Sequence, residues 1–293
     1  MAASGGSAIG VYTPGSSGTV NNSGIIQAST SQGLAYGVYA YTANVTNSGS
    51  ISAATSAGGL SIGVLGLDAT VANSGAIAAT NGADGGAYGV YGINTATVSN
   101  ASANTIAAST NGSEAYGVYS GSTATITSNG GTISATTNGA GVAYGVAATG
   151  FGDVVVTSNA GAITATASGS GAAYGLNGDN SATVTSNAGT LSATSGTGAA
   201  FGVYAGAVAN VTNTGVISAS SSGGDAWGVY GGADVNAAAA SLFPGSYRAD
   251  ATLDNALSVS ASTSGTGNAY GLYGGTYATL ARPSSRSSRA ARC

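Results

Sequence analysis

The sequence predicts an all-β chain, a right-handed parallel β-helix of about ten coils, each roughly 27 residues long and built from three short strands. Three observations carry that reading. The first is a fixed period: Ala35-Tyr36-Gly37-Val38-Tyr39 returns as Ala87-Tyr88-Gly89-Val90-Tyr91, as Ala115-Tyr116-Gly117-Val118-Tyr119, and in looser forms centred on Gly10, Gly63, Gly145, Gly175, Gly202, Gly228 and Gly271. Successive central glycines lie 27, 26, 26, 28, 28, 30, 27, 26 and 43 residues apart, and a constant period of this size marks a solenoid, propeller or array. The second is composition. With 51 glycines, 5% charged residues and 43% apolar residues that are mostly alanine, the chain has too little charge for disorder and no Gly-X-Y rule for collagen. The third is the absence of any apolar stripe at helical spacing over even two turns.

Each coil opens with the Ala-Tyr-Gly-Val-Tyr segment. In that segment the residue before the glycine is always large (Ile, Tyr, Phe or Trp), and the residue after it is Val or Leu. Strict alternation puts these two positions on one face, and they are expected to point inward. Two residues past the glycine stand Tyr39, Tyr91, Tyr119, Tyr204, Tyr230 and Tyr273, but also Ala147 and Asn177. A position that accepts both tyrosine and asparagine is expected to face out. A second segment, such as Thr70-Val71-Ala72-Asn73 or Thr183-Val184-Thr185, supplies an inward column of Val45, Val71, Val98, Ile126, Val184 and Val211. The Asn-Ser-Gly group that follows, at Asn47 and Asn73, and Asn-Thr-Gly at Asn213, suits a tight bend whose stacked amides can hydrogen-bond along the axis. The third segment, Ile51-Ser52-Ala53 and its equivalents at Ile77, Ile133, Ile163 and Ile217, gives the third inward column. Ser, Thr, Gly and Asn then turn the chain into the next coil.

Two places break the period. The long interval from Gly228 to Gly271 holds a surplus near residues 233–250, including Phe243, Tyr247 and Arg248, which is expected to project as a loop from one coil border. Residues 281–293 lose the repeat and carry Arg282, Arg286, Arg289 and Arg292, so residues 1–280 form a single repeat domain followed by a basic Ser/Arg tail. The abrupt start and this tail are expected to be cut or frame-shifted ends of a longer reading frame.

Residues 1–247 contain no basic side chain and there is no histidine anywhere, so a phosphate backbone or an anionic lipid surface finds nothing to pair with. No apolar run approaches a membrane span, and the opening Met-Ala-Ala-Ser-Gly-Gly is not expected to act as a signal peptide. The lone cysteine, Cys293, forms no internal disulfide. An enzyme of the β-helix type, a carbohydrate lyase or hydrolase, needs clustered carboxylates. Glu114 and Asp225 share a repeat phase, yet they lie four coils apart, about 19 Å at the usual strand spacing. No metal-ligand set, phosphate loop or nucleophile elbow occurs, so no cofactor is expected and the chain is not read as an enzyme. Threonines beside the valine column, as in Thr125-Ile126-Thr127, raise an ice-binding alternative, but Asn44, Ala72, Val155 and Asn210 interrupt the rows.

Over residues 7–280 the Ala-Tyr-Gly-Val-Tyr and Val-Thr-Asn-Ser-Gly-x-Ile-Ser-Ala segments resemble the passenger domains of bacterial autotransporters. The resemblance implies display at the outer membrane or outside the cell, export by a C-terminal β-barrel of the parent protein, and a role as stalk or adhesin toward a host or cell-surface glycan or protein. The outward column of Tyr39, Tyr91, Tyr119, Tyr204, Tyr230 and Tyr273 is the candidate contact surface, weighed against a purely structural aromatic ladder.

Overall fold

A computed structural model of the chain describes residues 5–13, 15, 17–232 and 258–274 in full, and the backbone alone at Ala2–Ala3, Asp234–Ala239, Ser241–Leu242 and Tyr277–Leu280. The described residues are all-β, without a helix, and every strand pairing is parallel; all but that of Ser241–Leu242 with Ser258–Val259 join equivalent positions one coil apart, as Tyr88↔Tyr116 and Ile106↔Ile133 show. This is the expected parallel β-solenoid. Eight coils are complete, from Ala8–Thr13 through Val216–Ser221, where the spacing led us to expect about ten. The ninth is interrupted by the long interval and the tenth is partial among the described residues.

The third strands form a sheet of their own, from Ile25–Thr30 through Val216–Ser221 to Ser258–Thr263. The first and second strands belong to one continuous sheet, and in Leu60–Asn73 and Ala87–Asn100 the chain rounds their shared corner without losing strand conformation. Three apolar columns meet inside: Val38, Val64, Val90 and Val118 from the first face, Val45, Val71, Val98 and Ile126 from the second, and Ile51, Ile77, Ile106 and Ile133 from the third. All are buried. A second strip, entirely alanine, closes the narrow angle where Ala87, Ala115 and Ala143 face Ala79, Ala108 and Ala135. Only a small side chain fits there, which accounts for much of the alanine in the composition.

The expectation that the aromatic before the central glycine points inward is wrong. Ala115 and Val118 are core residues, whereas the ring of Tyr116 packs against Tyr119, which lies outside. The glycine explains the difference. A Cβ on Gly117 would stand 2.5 Å from the carbonyl oxygen of Gly145 and 2.8 Å from Cγ2 of Ile133, and Gly37, Gly63, Gly89 and Gly145 are crowded in the same way. The glycine faces inward with no side chain, the isoleucine methyl fills its place, and the following valine also faces inward. Two consecutive inward positions break the alternation, as a bulge does. Both flanking aromatics are thereby turned outward.

The bend between second and third strands is held as expected, and by more asparagines than the Asn-Ser-Gly pattern names. Asn22, Asn47, Asn73, Asn100, Asn129, Asn159, Asn187 and Asn213 are all buried. Each Nδ2 donates to Oδ1 of the next, at 2.7, 2.8, 2.8, 2.9, 2.8, 2.6 and 2.6 Å. The ladder stops at Asn213, whose partner in the next coil is Ala239. Asp234–Ala239 itself continues the second face in register with Val208–Asn213, so the first part of the segment expected to project at 233–250 lies in the ladder. Ser241–Leu242 pairs with Ser258–Val259 in the third sheet, and the rest of the segment, with Phe243, Tyr247 and Arg248, lies outside the described residues, as does the 281–293 tail.

Candidate functional site

The outer side of the first face carries two aromatic columns. The inner one is a near-parallel stack. Tyr88, Tyr116, Tyr144, Tyr174, Phe201 and Trp227 follow one another at centroid separations of 4.8, 4.6, 5.0, 4.7 and 4.5 Å, with planes within 9°. Tyr270 continues it at 6.0 Å from Trp227. The coil rise sets these spacings, since parallel strands stand ~4.8 Å apart and identical side chains in register have no choice but to stack. Tyr116 and Phe201, which Tyr119 and Tyr204 also cover, each retain 7% of their exposure, whereas Tyr144 and Tyr174 between them, with Ala147 and Asn177 in the outer column, stay partly exposed.

The outer column contains the six tyrosines singled out in the sequence. Tyr39, Tyr91, Tyr119, Tyr204 and Tyr230 are partly exposed and Tyr273 is 40% exposed, all on the outside as expected. They do not form one uniform row. Tyr204, Tyr230 and Tyr273 stack at 5.1 Å with planes within 5°. Tyr91 and Tyr119 meet edge to face at 4.7 Å and 87°. Each also leans on the inner column, Tyr91 on Tyr88 at 4.9 Å and Tyr119 on Tyr116 at 4.9 Å. The outer rings thus belong to the aromatic ladder while remaining partly exposed.

Desolvation dominates the chemistry of these phenols. Burial pushes Tyr174 up to about 12, with the charges of Tyr204 and Asp179 adding to the shift. Tyr88, Tyr116 and Tyr144 are pushed up further, by burial first and then by neighbouring phenols and the Glu114 carboxylate. At neutral pH these buried phenols are thus uncharged, polarisable rings beside the Glu114 and Asp179 carboxylates.

Between Tyr119 and Tyr204 the outer column is interrupted for two coils by Ala147 and Asn177. The corner of that stretch is distinctive. Thr149-Gly150-Phe151-Gly152 makes a longer connection than those of the neighbouring coils, and Phe151 stands 90% exposed with a positive φ of 66°. A bulky residue rarely adopts that backbone conformation. The loop is tethered at both shoulders. Tyr119 and Thr149 share a hydrogen bond between their hydroxyls at 2.8 Å, and the N–H of Gly150 donates to Oδ2 of Asp179 at 3.0 Å. Sequence reading missed Phe151 and Asp179. The signal available was the 30-residue interval between Gly145 and Gly175, the longest among the regular coils.

Other carboxylates serve the coil stacking. Asp68 accepts from Asn94 and Thr95 of the next coil at 3.0 and 2.6 Å, and Asp153 accepts from Asn180 and Ser181 at 2.8 and 2.7 Å. Glu114 and Asp225 are not brought together, since each stands just before the first strand of its own coil, four coils apart. A shallow depression of about 300 Å³, lined by Ser29, Thr30, Ser31, Ala54, Thr55 and Ser56, offers hydroxyls only. Among the described residues no three His, Cys, Asp or Glu side chains converge, and no helix is long and apolar enough to cross a membrane. Comparison with protein-family models, curated proteins and solved structures finds no match to the chain.

Proposed function

We propose that the chain is part of the passenger of a surface-displayed, autotransporter-like protein, acting without catalysis as a rigid stalk and adhesive rod. The reading rests on the resemblance of its repeats to such passengers and, above all, on one observation. An outward double column of neutral aromatic rings runs along one face of a rod whose interior is filled by its own side chains. Aromatic residues with a polar tip give contact area at little entropic cost and dominate recognition surfaces. Parallel coils in register give such a surface the rigidity that adhesion under load requires.

The test is the triple variant Tyr39→Ser, Tyr91→Ser, Tyr119→Ser, immobilised on beads and flowed over mucin- and matrix-coated surfaces. Because these rings also lean on Tyr36, Tyr88 and Tyr116, each replacement is expected to cost about 0.5–1.5 kcal/mol of stability. Adhesion is therefore compared well below the melting temperature of the variant. Loss of adhesion by a folded variant supports the reading. Equal adhesion by variant and parent refers attachment to another face and removes the argument from the columns.

A further inference from the structure

The two-coil interruption of the outer column is where a ligand group can enter, and its chemistry is more specific than that of the column. We infer that Asp179, Phe151 and the flanking ring of Tyr204 form a subsite for a neutral saccharide unit, a deepening that rests on the adhesive reading above. Asp179 is exposed, while Asn177 beside it is almost fully buried. Its two oxygens hold one protein donor each, Asn177 Nδ2 at 3.3 Å on Oδ1 and the Gly150 N–H at 3.0 Å on Oδ2. A carboxylate offers about four lone-pair positions, so capacity for two further donors points to solvent. Paired hydroxyls on adjacent carbons of a sugar ring supply two donors to one carboxylate, and the bond to a charged acceptor is the strong kind.

Asp68, Asp153 and Asp225 also accept from a neighbouring coil. What sets Asp179 apart is its donor there, the Gly150 N–H of the protruding loop, which fixes Phe151 next to the carboxylate. Holding a phenylalanine 90% exposed at φ 66° opposes both the hydrophobic effect and backbone preference, and such strain persists where a site requires it. An exposed flat ring beside a hydrogen-bonding carboxylate matches the two faces of a pyranose, apolar C–H groups on one side and hydroxyls at the edge. Tyr204 stands one coil on from Asn177, two residues from Asp179, and Tyr174 is in the same coil as Asp179; the Asp179 charge adds to the upward shift that burial gives Tyr144, Tyr174 and Tyr204. The sugar must be uncharged. The fully described residues carry Asp68, Asp84, Glu114, Asp153, Asp179 and Asp225 and no cation, so a uronate or sialate would be repelled.

The test uses the full chain and isothermal titration with cellohexaose, laminarihexaose and mannohexaose, against oligogalacturonate and oligosialate, with oligolysine as a cationic control. At least one neutral oligosaccharide is expected to bind with Kd of about 0.1–1 mM, insensitive to salt, and the acidic ones not at all. Asp179→Asn keeps an acceptor for Gly150 and should weaken binding by about tenfold or more. Phe151→Gly removes the ring and suits the positive φ, so it should weaken binding by about tenfold while leaving the melting temperature unchanged or raised. Failure of every neutral sugar, or binding unaffected by both variants, overturns the subsite. Salt-sensitive capture of oligolysine alone overturns it too, in favour of a cationic partner. If Asp179→Asn and Phe151→Gly retain adhesion that the triple tyrosine variant loses, the subsite falls and the adhesive reading stands.

Discussion

Replacing Asn129 with alanine takes out the middle rung of the asparagine ladder, and the structure supplies the terms of the penalty. The Asn129 amide donates to Asn159 Oδ1 at 2.8 Å and to the Ala162 carbonyl at 3.1 Å, and its own Oδ1 accepts from Asn100 at 2.9 Å. The side chain is 1% exposed, so water does not replace these partners without opening the bend. Three bonds are lost and buried groups on two adjacent coils go unpaired, which at roughly 1 kcal/mol per bond plus the desolvation of the orphans amounts to about 3–5 kcal/mol. Asn213 provides the internal control. It ends the ladder, because the facing residue is Ala239, and its other two bonds are local, Nδ2 to the Gly215 carbonyl and the Gly215 N–H to Oδ1, both at 3.1 Å. Asn213→Ala therefore loses one bond between coils and two within the bend, orphans a group on one adjacent coil only, and should cost about 2–3 kcal/mol. Urea titration followed by far-UV circular dichroism measures both. Equal losses, within about 0.5 kcal/mol, would refute the claim that the bend is held cooperatively. Asn129→Asp sharpens the test. A buried carboxylate there has its pKa raised by desolvation and can donate only when protonated. Its folded-state pKa lies above the unfolded value, so relative to the parent the variant should be most stable at acid pH and lose stability as pH rises through that folded pKa.

Gly117→Ala forces a Cβ to within 2.5 Å of the Gly145 carbonyl and 2.8 Å of Ile133, so an overpacking loss of about 1–3 kcal/mol is expected. Gly24→Ala meets nothing within 4 Å and should be neutral or slightly stabilising; melting temperatures of the two, if alike, would dismiss the glycine–isoleucine interlock. Alkaline pH should unfold the rod through the tyrosine column. Tyr174 is held at about 12 against ~10 in the unfolded chain, so the folded state keeps its proton longer. The column's contribution is then fully present below ~pH 10 and lost as pH climbs toward 12, a fall that melting scans should record together with a cooperative step in phenolate absorbance.

Much of the architecture could be read from the repeats because a solenoid writes the same environment many times. One Ile-Ser-Ala says little, but its recurrence at Ile51, Ile77, Ile133, Ile163 and Ile217 fixes a column, and the structure buries each of them. Asn47, Asn73 and Asn213 pointed to a hydrogen-bonded bend for the same reason. Asn100, Asn129 and Asn159 share the bend although the residues after them differ, since only the amide is required by the ladder. What period and alternation could not deliver was the direction of the aromatics. Alternation assumes that every residue advances the pleat by one step, and Gly117 and its equivalents violate that assumption, because a residue without a side chain can spend its inward position on a neighbour's methyl.

The candidate site was less legible for a related reason. Tyr39, Tyr91 and Tyr204 advertise themselves by repetition, which makes them conspicuous in the sequence and also ties them to coil stacking, a requirement every coil shares. Phe151 and Asp179 are each used once, and no column announces them. A ligand that distinguishes one place along a periodic rod must do so by something the period lacks. The lengthened corner, the left-handed phenylalanine and the carboxylate that holds its loop together supply that asymmetry within two adjacent coils. On a repeat protein, departures from the repeat are therefore the first place to look for specificity, and the regular positions around them form the rigid support that specificity needs.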